Sequence, residues 1–221
     1  MKEDFSTISA SISRLGREHI RPPLLESDLD PDPFIQFGMW LKEALEAGIT
    51  LPNAMTLATS GANGIPSARM VLLKGFDEDG FVFYTNYESR KGQELEENPH
   101  AALVFYWSVL ERQVCVGGGV TKVGRAESEE YFNARPPGSR LGAWASRQSS
   151  VIESRAVLEG ELRELEKRFA EGPIPIPPYW GGYRLTPVSI EFWQARPNRL
   201  HDRFRYRREL GRPWAMERLA P

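Results

Sequence analysis

The chain has 221 residues, a length that suits one large domain or two small ones. Hydrophobic residues make up 41% of it and charged residues 26%, which excludes a disordered tail, a collagen-like fibre and a low-complexity array. The formal net charge is −2, so the chain as a whole is not built to coat nucleic acid or an anionic membrane.

The sequence carries few residues suited to disulfide, metal or membrane chemistry. Cys115 is the only cysteine, so it can form no internal disulfide and no multi-thiolate zinc site. His19, His100 and His201 are scattered without paired carboxylates, and we expect no metal. The N-terminus is too polar for a signal peptide, and the longest apolar run, 101–107, is much shorter than a membrane span. We therefore expect a soluble cytoplasmic protein that does not bind a membrane.

In the first half of the chain, the pattern indicates an arm, a helix and a series of strands. Residues 1–31 have weak periodicity and are predicted to form an arm that is either mobile or docked late. Asp32 and Pro33 predict the start of a helix, and Gly48 predicts its end. Further elements are predicted as strands over 54–60, 67–74, 81–85, 101–107 and 112–123, with a short helix over 89–98. Glycines at 117–119 interrupt the fifth strand and predict a bulge.

The second half of the chain is predicted to contain two helices and three strands. They are predicted as helices over 128–133 and 150–170, an extended connector over 173–178, and strands over 188–194, 200–207 and 214–219. Many strands, few helices and tight turns are typical of an antiparallel barrel rather than a parallel sheet. The predicted fold class is therefore mainly β with flanking helices (α+β), in a single domain over 32–221.

The candidate binding groups of the chain are cations rather than a glycine-rich nucleotide loop. No Gly-x-Gly-x-x-Gly opens a helix, and no P-loop is present. Ser89, Arg90 and Lys91 lie at a predicted helix N-terminus, where free N–H groups, the helix dipole and two cations would converge on an anion such as a phosphate monoester. A solvated helix start explains the same tripeptide equally well.

Two further basic regions bear on ligand binding. Arg69 and Lys74 would point to opposite faces of an ideal strand, so their contact with one ligand requires a bend. Residues 196–218 hold eight arginines and three acidic residues, which suggests an anionic ligand or a partner surface. The alternation of arginine and aromatic residues over 203–207 fits a surface strand, or else a stacking platform for single-stranded nucleic acid. Because the chain is acidic overall and lacks an RNA-binding motif, we expect no nucleic-acid partner.

Ten short segments are more informative in their order than any one of them alone. They include Arg-Met-Val-Leu-Leu-Lys at 69–74 and Asn-Arg-Leu-His-Asp-Arg at 198–203. The full set is 66–74, 83–86, 89–92, 111–114, 131–136, 139–150, 179–182, 191–194, 198–203 and 217–221. Taken together, these segments resemble the pyridoxamine 5′-phosphate oxidase family of flavin enzymes.

The resemblance implies a fold, a cofactor and an activity. The fold would be a homodimer of antiparallel, Greek-key-like split β-barrels with FMN at the subunit interface. Residues 32–221 would form one FMN-binding domain that includes a C-terminal dimerisation segment, and residues 1–31 would form a lid over the active site. The activity would be oxidation of pyridoxamine or pyridoxine 5′-phosphate to pyridoxal 5′-phosphate. A hydride would pass from substrate C4′ to FMN N5, and O2 would then be reduced to H2O2.

The resemblance also implies the site residues, some of them supplied by a second subunit. FMN contacts are implied at Arg69, Met70, Val71, Leu72, Leu73, Lys74, Tyr84, Thr85, Arg90, Lys91, Gln113, Gln148, Ser149, Trp193 and Arg203. Substrate contacts are implied at Lys74, Tyr131, Arg135, Ser139, Arg199, Leu200, His201, Arg17 and His19. Arg199 and His201 are the implied catalytic residues, and Lys74 and Arg135 the implied clamp on the substrate phosphate.

Two other functions remain open at this point. A related flavin oxidase of the same barrel class could act on another ring, such as a phenazine precursor. A flavin-binding or storage protein would need no substrate site. Lys74, Arg135 and Ser139 favour a phosphorylated pyridine substrate over a phenazine precursor. Turnover of pyridoxamine 5′-phosphate with consumption of oxygen would separate an oxidase from a flavin-binding or storage protein.

Overall fold

A curled antiparallel sheet dominates the structure, a computed structural model that describes Ile12, residues 21–209 and residues 212–221. The strands are β1 (Ala54–Ser60), β2 (Pro66–Leu72), β3 (Gly75–Asp77), β4 (Gly80–Asn86), β5 (His100–Trp107), β6 (Arg112–Lys122), β7 (Trp180–Gln194), β8 (Asp202–Arg207) and β9 (Ala215–Arg218). Their order is β2-β1-β5-β6-β7-β4-β3, with β8 paired to β7 and β9 paired to β8. The sheet forms a half-barrel, which confirms the predicted antiparallel, mainly β fold.

Five α-helices flank this sheet in the described part of the chain. They are α1 (Pro33–Glu46), α2 (Arg90–Glu97), α3 (Arg125–Ala134), α4 (Pro137–Ala145) and α5 (Arg155–Arg168). Short 3₁₀ turns cover Glu26–Asp28 and Pro197–Arg199. None of the described helices is long and apolar enough to cross a membrane.

Helix α1 packs against the concave face of the sheet and closes the main core. It begins as predicted, because the Asp32 side chain accepts a hydrogen bond from the Phe34 N–H at 2.8 Å and Pro33 occupies the first turn. Phe37 has no exposed surface, and its ring contacts aromatic rings on the strands, including Phe81 at 5.0 Å and Phe105 at 5.0 Å. The helix is therefore fixed to the sheet by aromatic packing.

The sheet has an inner face toward this core and an outer face. Along β1, Met55, Leu57 and Thr59 are buried and the residues between them are partly exposed. The predicted bulge is confirmed, since the pairing of β6 with β7 shifts register between Gly117 and Gly118. A Cβ at Gly118 would collide with the β7 backbone, so the close approach of the two strands depends on glycine there.

Several predicted boundaries are wrong, and local contacts explain them. The helix predicted over 150–170 begins only at Arg155, because Ser154 before it has an extended backbone with a φ of −162° and a ψ of 167°. Strand β7 is twice as long as predicted, since Gly181 and Gly182 lie in it where Tyr87 and Tyr84 leave no room for a Cβ. Strand β3 and helix α4 were not predicted at all.

The described part of the predicted arm, residues 21–31, is docked on the domain. Leu24 and Leu29 belong to the main core, with 5% and 8% of their surface exposed. Gln194 donates to the Pro22 carbonyl oxygen at 2.9 Å. Arg17 and His19 lie outside the described residues, so the proposed lid contacts stay a prediction.

Replacing Phe37 with Ala should lower the free energy of unfolding by about 3–5 kcal/mol, because it leaves a cavity among the rings that α1 packs against. Ile35→Ala on the same helix is the matched control, since Ile35 is 54% exposed, and it should change stability by less than about 0.5 kcal/mol. Urea denaturation of both variants measures the difference. Similar losses in the two variants would contradict this packing.

Candidate functional site

A cavity of about 770 Å³ lies where β2, β4 and the start of β7 meet helices α2, α3 and α4. Twelve sequence-predicted site residues line it: Arg69, Met70, Val71, Leu72, Lys74, Tyr84, Thr85, Lys91, Tyr131, Arg135, Ser139 and Gln148. Six residues that were not predicted also line it: Asn86, Pro136, Gly142, Ala143, Ser146 and Trp180. The fold thus brings together residues up to about a hundred positions apart in sequence.

A change of strand partner brings Arg69 and Lys74 to the same cavity. Strand β2 pairs with β1 and ends at Leu72. The Lys74 N–H then donates to the Val82 carbonyl oxygen of β4 at 2.8 Å. This change of partner strand is the bend that Arg69 and Lys74 need in order to contact one ligand. Leu73 lies within the bend, but its side chain is buried in the main core and does not line the cavity.

Lys91 is a buried cation at the N-terminus of α2. It is 8% exposed, and its Nζ donates to Gln148 Oε1 at 2.9 Å and to Thr85 Oγ1 at 3.2 Å. Burial and the charge of Arg69 lower the pKa of Lys91 to about 8, although Glu94 acts in the opposite direction. No ion pair to Lys91 is found among the described residues. Its immediate partners are neutral oxygens, so the site favours an anionic ligand.

Arg69 and Arg90 share one carboxylate behind this part of the cavity. Glu94 accepts from Arg90 Nε at 2.9 Å and from Arg69 Nη2 at 3.2 Å. Burial would raise the pKa of Glu94, but hydrogen bonds from Ser67, Thr59 and the two arginines lower it to about 2. Glu94 therefore stays ionised at neutral pH.

Ser149 joins the loop after α4 to the same helix end. Its Oγ accepts from the Arg90 N–H at 3.2 Å. Ser149 has a φ of 76°, and it directly follows Gln148, which accepts from Lys91. Neither Ser149 nor the exposed Arg90 side chain lines the cavity itself.

Three stacked aromatic rings form one wall of the cavity. The Tyr84 and Tyr131 ring centroids are 4.0 Å apart, and Tyr84 and Trp180 lie 5.5 Å apart with nearly parallel planes. Burial raises the pKa of Tyr84 to about 12, so this side chain is a neutral phenol. The Lys74 Nζ lies 5.8 Å from the Tyr131 ring centroid. The wall offers flat apolar surface with a cation at its edge.

Arg135 brings an unmatched donor to this wall. Its guanidinium lies 4.7 Å from the Trp180 ring centroid, and burial lowers the pKa of Arg135. The Nη1 atom is buried without a hydrogen-bond partner, and no ion pair to Arg135 occurs in the part of the chain that the structure describes. Such a donor is costly unless an acceptor binds there. Lys91 with Arg69, and Arg135 with Lys74, therefore form two cationic groups around one cavity.

The other predicted residues lie away from this cavity, on the outer face of the sheet and the turn after β7. Gln113, Trp193 and Arg203 are cross-strand neighbours on β6, β7 and β8. The His201 ring centroid lies 4.7 Å from that of Trp193. Arg199 and Leu200, in the turn after β7, are exposed. One copy of the chain does not bring these six residues to the cavity.

His201 has a defined orientation at the end of this turn. Its Nδ1 accepts a hydrogen bond from the Arg196 N–H at 3.1 Å. A neutral ring that accepts at Nδ1 carries its proton on Nε2. Among the described residues no group of three or more histidine, cysteine or acidic side chains could hold a metal ion.

Sequence comparison gives matches along most of the chain. A family model described as pyridoxamine 5′-phosphate oxidase matches residues 41–169, and one described as the pyridoxine 5′-phosphate oxidase C-terminal dimerisation region matches residues 180–221. A pyridoxine/pyridoxamine 5′-phosphate oxidase of Paraburkholderia phymatum is 60% identical over 195 residues. That match covers 88% of this chain and 92% of the relative.

Two solved structures share the fold. PhzG from Burkholderia lata, in complex with tetrahydrophenazine-1-carboxylic acid, is 32% identical with a TM-score of 0.84, covering 90% of this chain and 98% of its own. A pyridoxamine 5′-phosphate oxidase-related, FMN binding protein from Nostoc punctiforme is 21% identical with a TM-score of 0.67, covering 83% of this chain and 96% of its own.

The lowered pKa of Lys91 predicts a pH effect on stability of the ligand-free protein. The pKa of Lys91 is about 8 in the folded protein against 10.5 for an ordinary lysine. The buried charge therefore lowers the free energy of unfolding by its full amount below pH 8, and this loss disappears as the pH rises toward 10.5. Relative to Lys91→Met, the wild type should gain about 2 kcal/mol of unfolding free energy between pH 7.5 and 10.

Urea denaturation across that pH range measures the gain. The control is Lys42→Met, which removes a charge from a side chain that is 76% exposed. A parallel pH dependence of wild type and Lys91→Met would contradict the buried charge.

Proposed function

The chain belongs to the pyridoxamine 5′-phosphate oxidase family, and on this premise we propose that it oxidises pyridoxamine or pyridoxine 5′-phosphate to pyridoxal 5′-phosphate with FMN as cofactor. The observation that carries the proposal is the pair of cationic groups around one cavity beside a stacked aromatic wall. Cofactor and substrate each bear a phosphate and a flat ring, so one cavity with two anion sites suits both.

FMN fits the cationic group formed by Lys91 and Arg69 at the N-terminus of α2. Its phosphate would meet the Lys91 ammonium, the Arg69 guanidinium and the N–H groups of the helix end. Thr85 and Gln148, which now accept from Lys91, supply further polar contacts. When bound, FMN would supply the redox chemistry, taking a hydride from substrate C4′ and passing the electrons to O2 to give H2O2.

The substrate phosphate fits the second group. Arg135 offers its unpartnered Nη1, Lys74 adds a second cation, and the Tyr131 and Ser139 hydroxyls line the same part of the cavity. This clamp would hold the pyridine ring against the cavity in one orientation, so that C4′ is presented for reaction.

A second copy of the chain would complete the site. Met70 lines the cavity and also lies on the outer face of the sheet, where it is 63% exposed and Tyr106 is 61% exposed. An exposed apolar face of this kind is typical of a protein interface. Because Gln113, Trp193 and Arg203 lie on the same face, a partner packed there would bring its own copies of them to the cavity rim.

Arg199 and His201 would reach the substrate ring from the partner. His201, whose ring is oriented by the Arg196 N–H at Nδ1, would polarise a substrate oxygen or nitrogen. Arg199, held at a φ of 61°, would place a positive charge near the ring. Arg203, paired with Glu191 at 2.8 Å, would place a cation near the flavin. The lid formed by residues 1–31, with Arg17 and His19, and a cytoplasmic location stay predictions.

The proposed activity is tested by the visible spectrum of the purified protein. We expect a flavin spectrum that bleaches when pyridoxamine 5′-phosphate is added without oxygen and recovers, with H2O2 formed, when air is admitted. Arg135→Leu should raise the KM at least about tenfold, and Arg155→Leu, an exposed arginine on α5, should not. A flavin that stays oxidised with both substrates would refute the oxidase, and bleaching by an unphosphorylated ring would favour the phenazine-type alternative.

The two-copy site predicts complementation between impaired variants. If one copy carries Arg135→Leu and the other His201→Ala, the heterodimer keeps one complete site and should regain about half of the wild-type kcat/KM. The control pairs Lys74→Met with Arg135→Leu, both in the cavity, and its kcat/KM should stay at the level of the single variants. Co-expression with two affinity tags isolates each heterodimer. No recovery in the first pair would mean that the outer-face residues act elsewhere.

A further inference from the structure

Glu94 occupies a position that the proposed activity leaves unused. Its side chain is 11% exposed, and it lies on α2 one turn after Arg90. Oε2 accepts from the Thr59 hydroxyl at 2.5 Å and the Ser67 hydroxyl at 2.6 Å. The same carboxylate accepts from Arg69 and Arg90, so it joins helix α2 to strands β1 and β2.

Arg69 is the link between Glu94 and the cavity. Arg69 lines the cavity, whereas Glu94 does not. The Arg69 guanidinium also donates from Nη1 to the Leu57 carbonyl oxygen at 3.1 Å and to Thr59 Oγ1 at 2.6 Å. Both Nη atoms of Arg69 thus have hydrogen-bond partners, which fixes the guanidinium in one plane.

The negative charge of Glu94 offsets the positive charges that surround the proposed anion site. Three cations, Arg69, Arg90 and Lys91, converge on the helix end, and Glu94 is the carboxylate that pairs with two of them. The groups that face Lys91 are the cation Arg69, the anion Glu94 and neutral oxygens of Thr85, Ser89 and Gln148. Without Glu94 the three cations would repel one another, and the two guanidinium groups would turn toward water.

We propose that Glu94 is a positioning residue for the phosphate of the cofactor: its carboxylate holds Arg69 and Arg90 beside Lys91, so that the three cations are already converged when an anion arrives. Glu94 touches no ligand in this proposal and acts through the two arginines. The proposal rests on the proposed function, because it takes the α2 group to be the FMN phosphate site.

The first test is FMN affinity, measured by quenching of flavin fluorescence at pH 7.5. Glu94→Gln keeps the size and the hydroxyl contacts but removes the charge, and it should raise the Kd about tenfold. Glu97→Gln is the matched control on the same helix, since Glu97 accepts from the Ala62 N–H and pairs with neither arginine. It should change the Kd less than about twofold. A tighter Kd in Glu94→Gln would overturn the proposal, because Glu94 would then be a competitor of the phosphate.

A double-mutant cycle separates positioning from a general structural role. If Glu94 acts through Arg69, then Glu94→Gln in an Arg69→Met background should weaken FMN binding less than about threefold. A merely structural Glu94 would lower affinity by the same factor in both backgrounds, and that additivity would overturn the proposal. If Arg69→Met alone leaves the Kd unchanged, the proposed FMN site is wrong, which is a different failure from that of Glu94.

Ser67→Ala is a milder variant in case Glu94→Gln does not fold. It removes a hydroxyl that donates to Glu94 and accepts from Arg69 Nη2 while keeping every charge. We expect a Kd increase of about threefold. An unchanged Kd in this folded variant would contradict the positioning role.

Discussion

The candidate site depends on cations that the fold buries without matching carboxylates. The Lys91 ammonium donates its hydrogen bonds to neutral oxygens, and Arg135 keeps a buried nitrogen without a partner. Removing a charge from water costs several kcal/mol unless an opposite charge is bound. Packing of the large aromatic core stabilises the domain enough to offset this desolvation, and a bound anion removes the penalty. A preformed anion site is therefore a part of the fold that carries an electrostatic cost until its ligand binds.

The sheet explains why the site residues divide into two sets. Side chains alternate along a strand, so Gln113 on β6 and Trp193 on β7 point away from the core that α1 fills. The cavity opens beside this outer face at Met70. The two sets lie apart within one copy, so joining them there would require a different fold, whereas a second copy on the outer face needs no change in the fold.

Helix starts and the β-bulge could be predicted from the sequence, because each depends on one or two neighbouring residues. The α1 start at Asp32 and Pro33, the Ser89 cap of α2 and the bulge at Gly117 each follow from one or two residues. Helix α4 was missed because the Pro-Pro-Gly sequence at 136–138, where the helix begins, is typical of a turn, although proline also fits a first helical turn. The first half of β7 was missed because the packing that requires Gly182 comes from distant residues.

The cavity could not be predicted from local patterns in the same way. The twelve predicted residues that line it come from five strands and helices and the loops between them, and only the ordered resemblance placed them in one site. Glu94 shows the limit most clearly. In the sequence it is one of several glutamates on a short helix, and its contacts with Thr59 and Arg69 exist only after β1, β2 and α2 have packed.

Charge also distinguishes the proposed substrate from the ring carried by the related phenazine protein. The ligand named for that structure is a carboxylic acid, which brings one negative charge and two acceptor oxygens. The second cationic group here has Lys74 and Arg135, with the hydroxyls of Tyr131 and Ser139 beside them. A single carboxylate would leave one of these cations without a counter-charge in a half-buried site, whereas a phosphate dianion matches both and offers three acceptors. The electrostatics of the cavity therefore favour a phosphorylated ring.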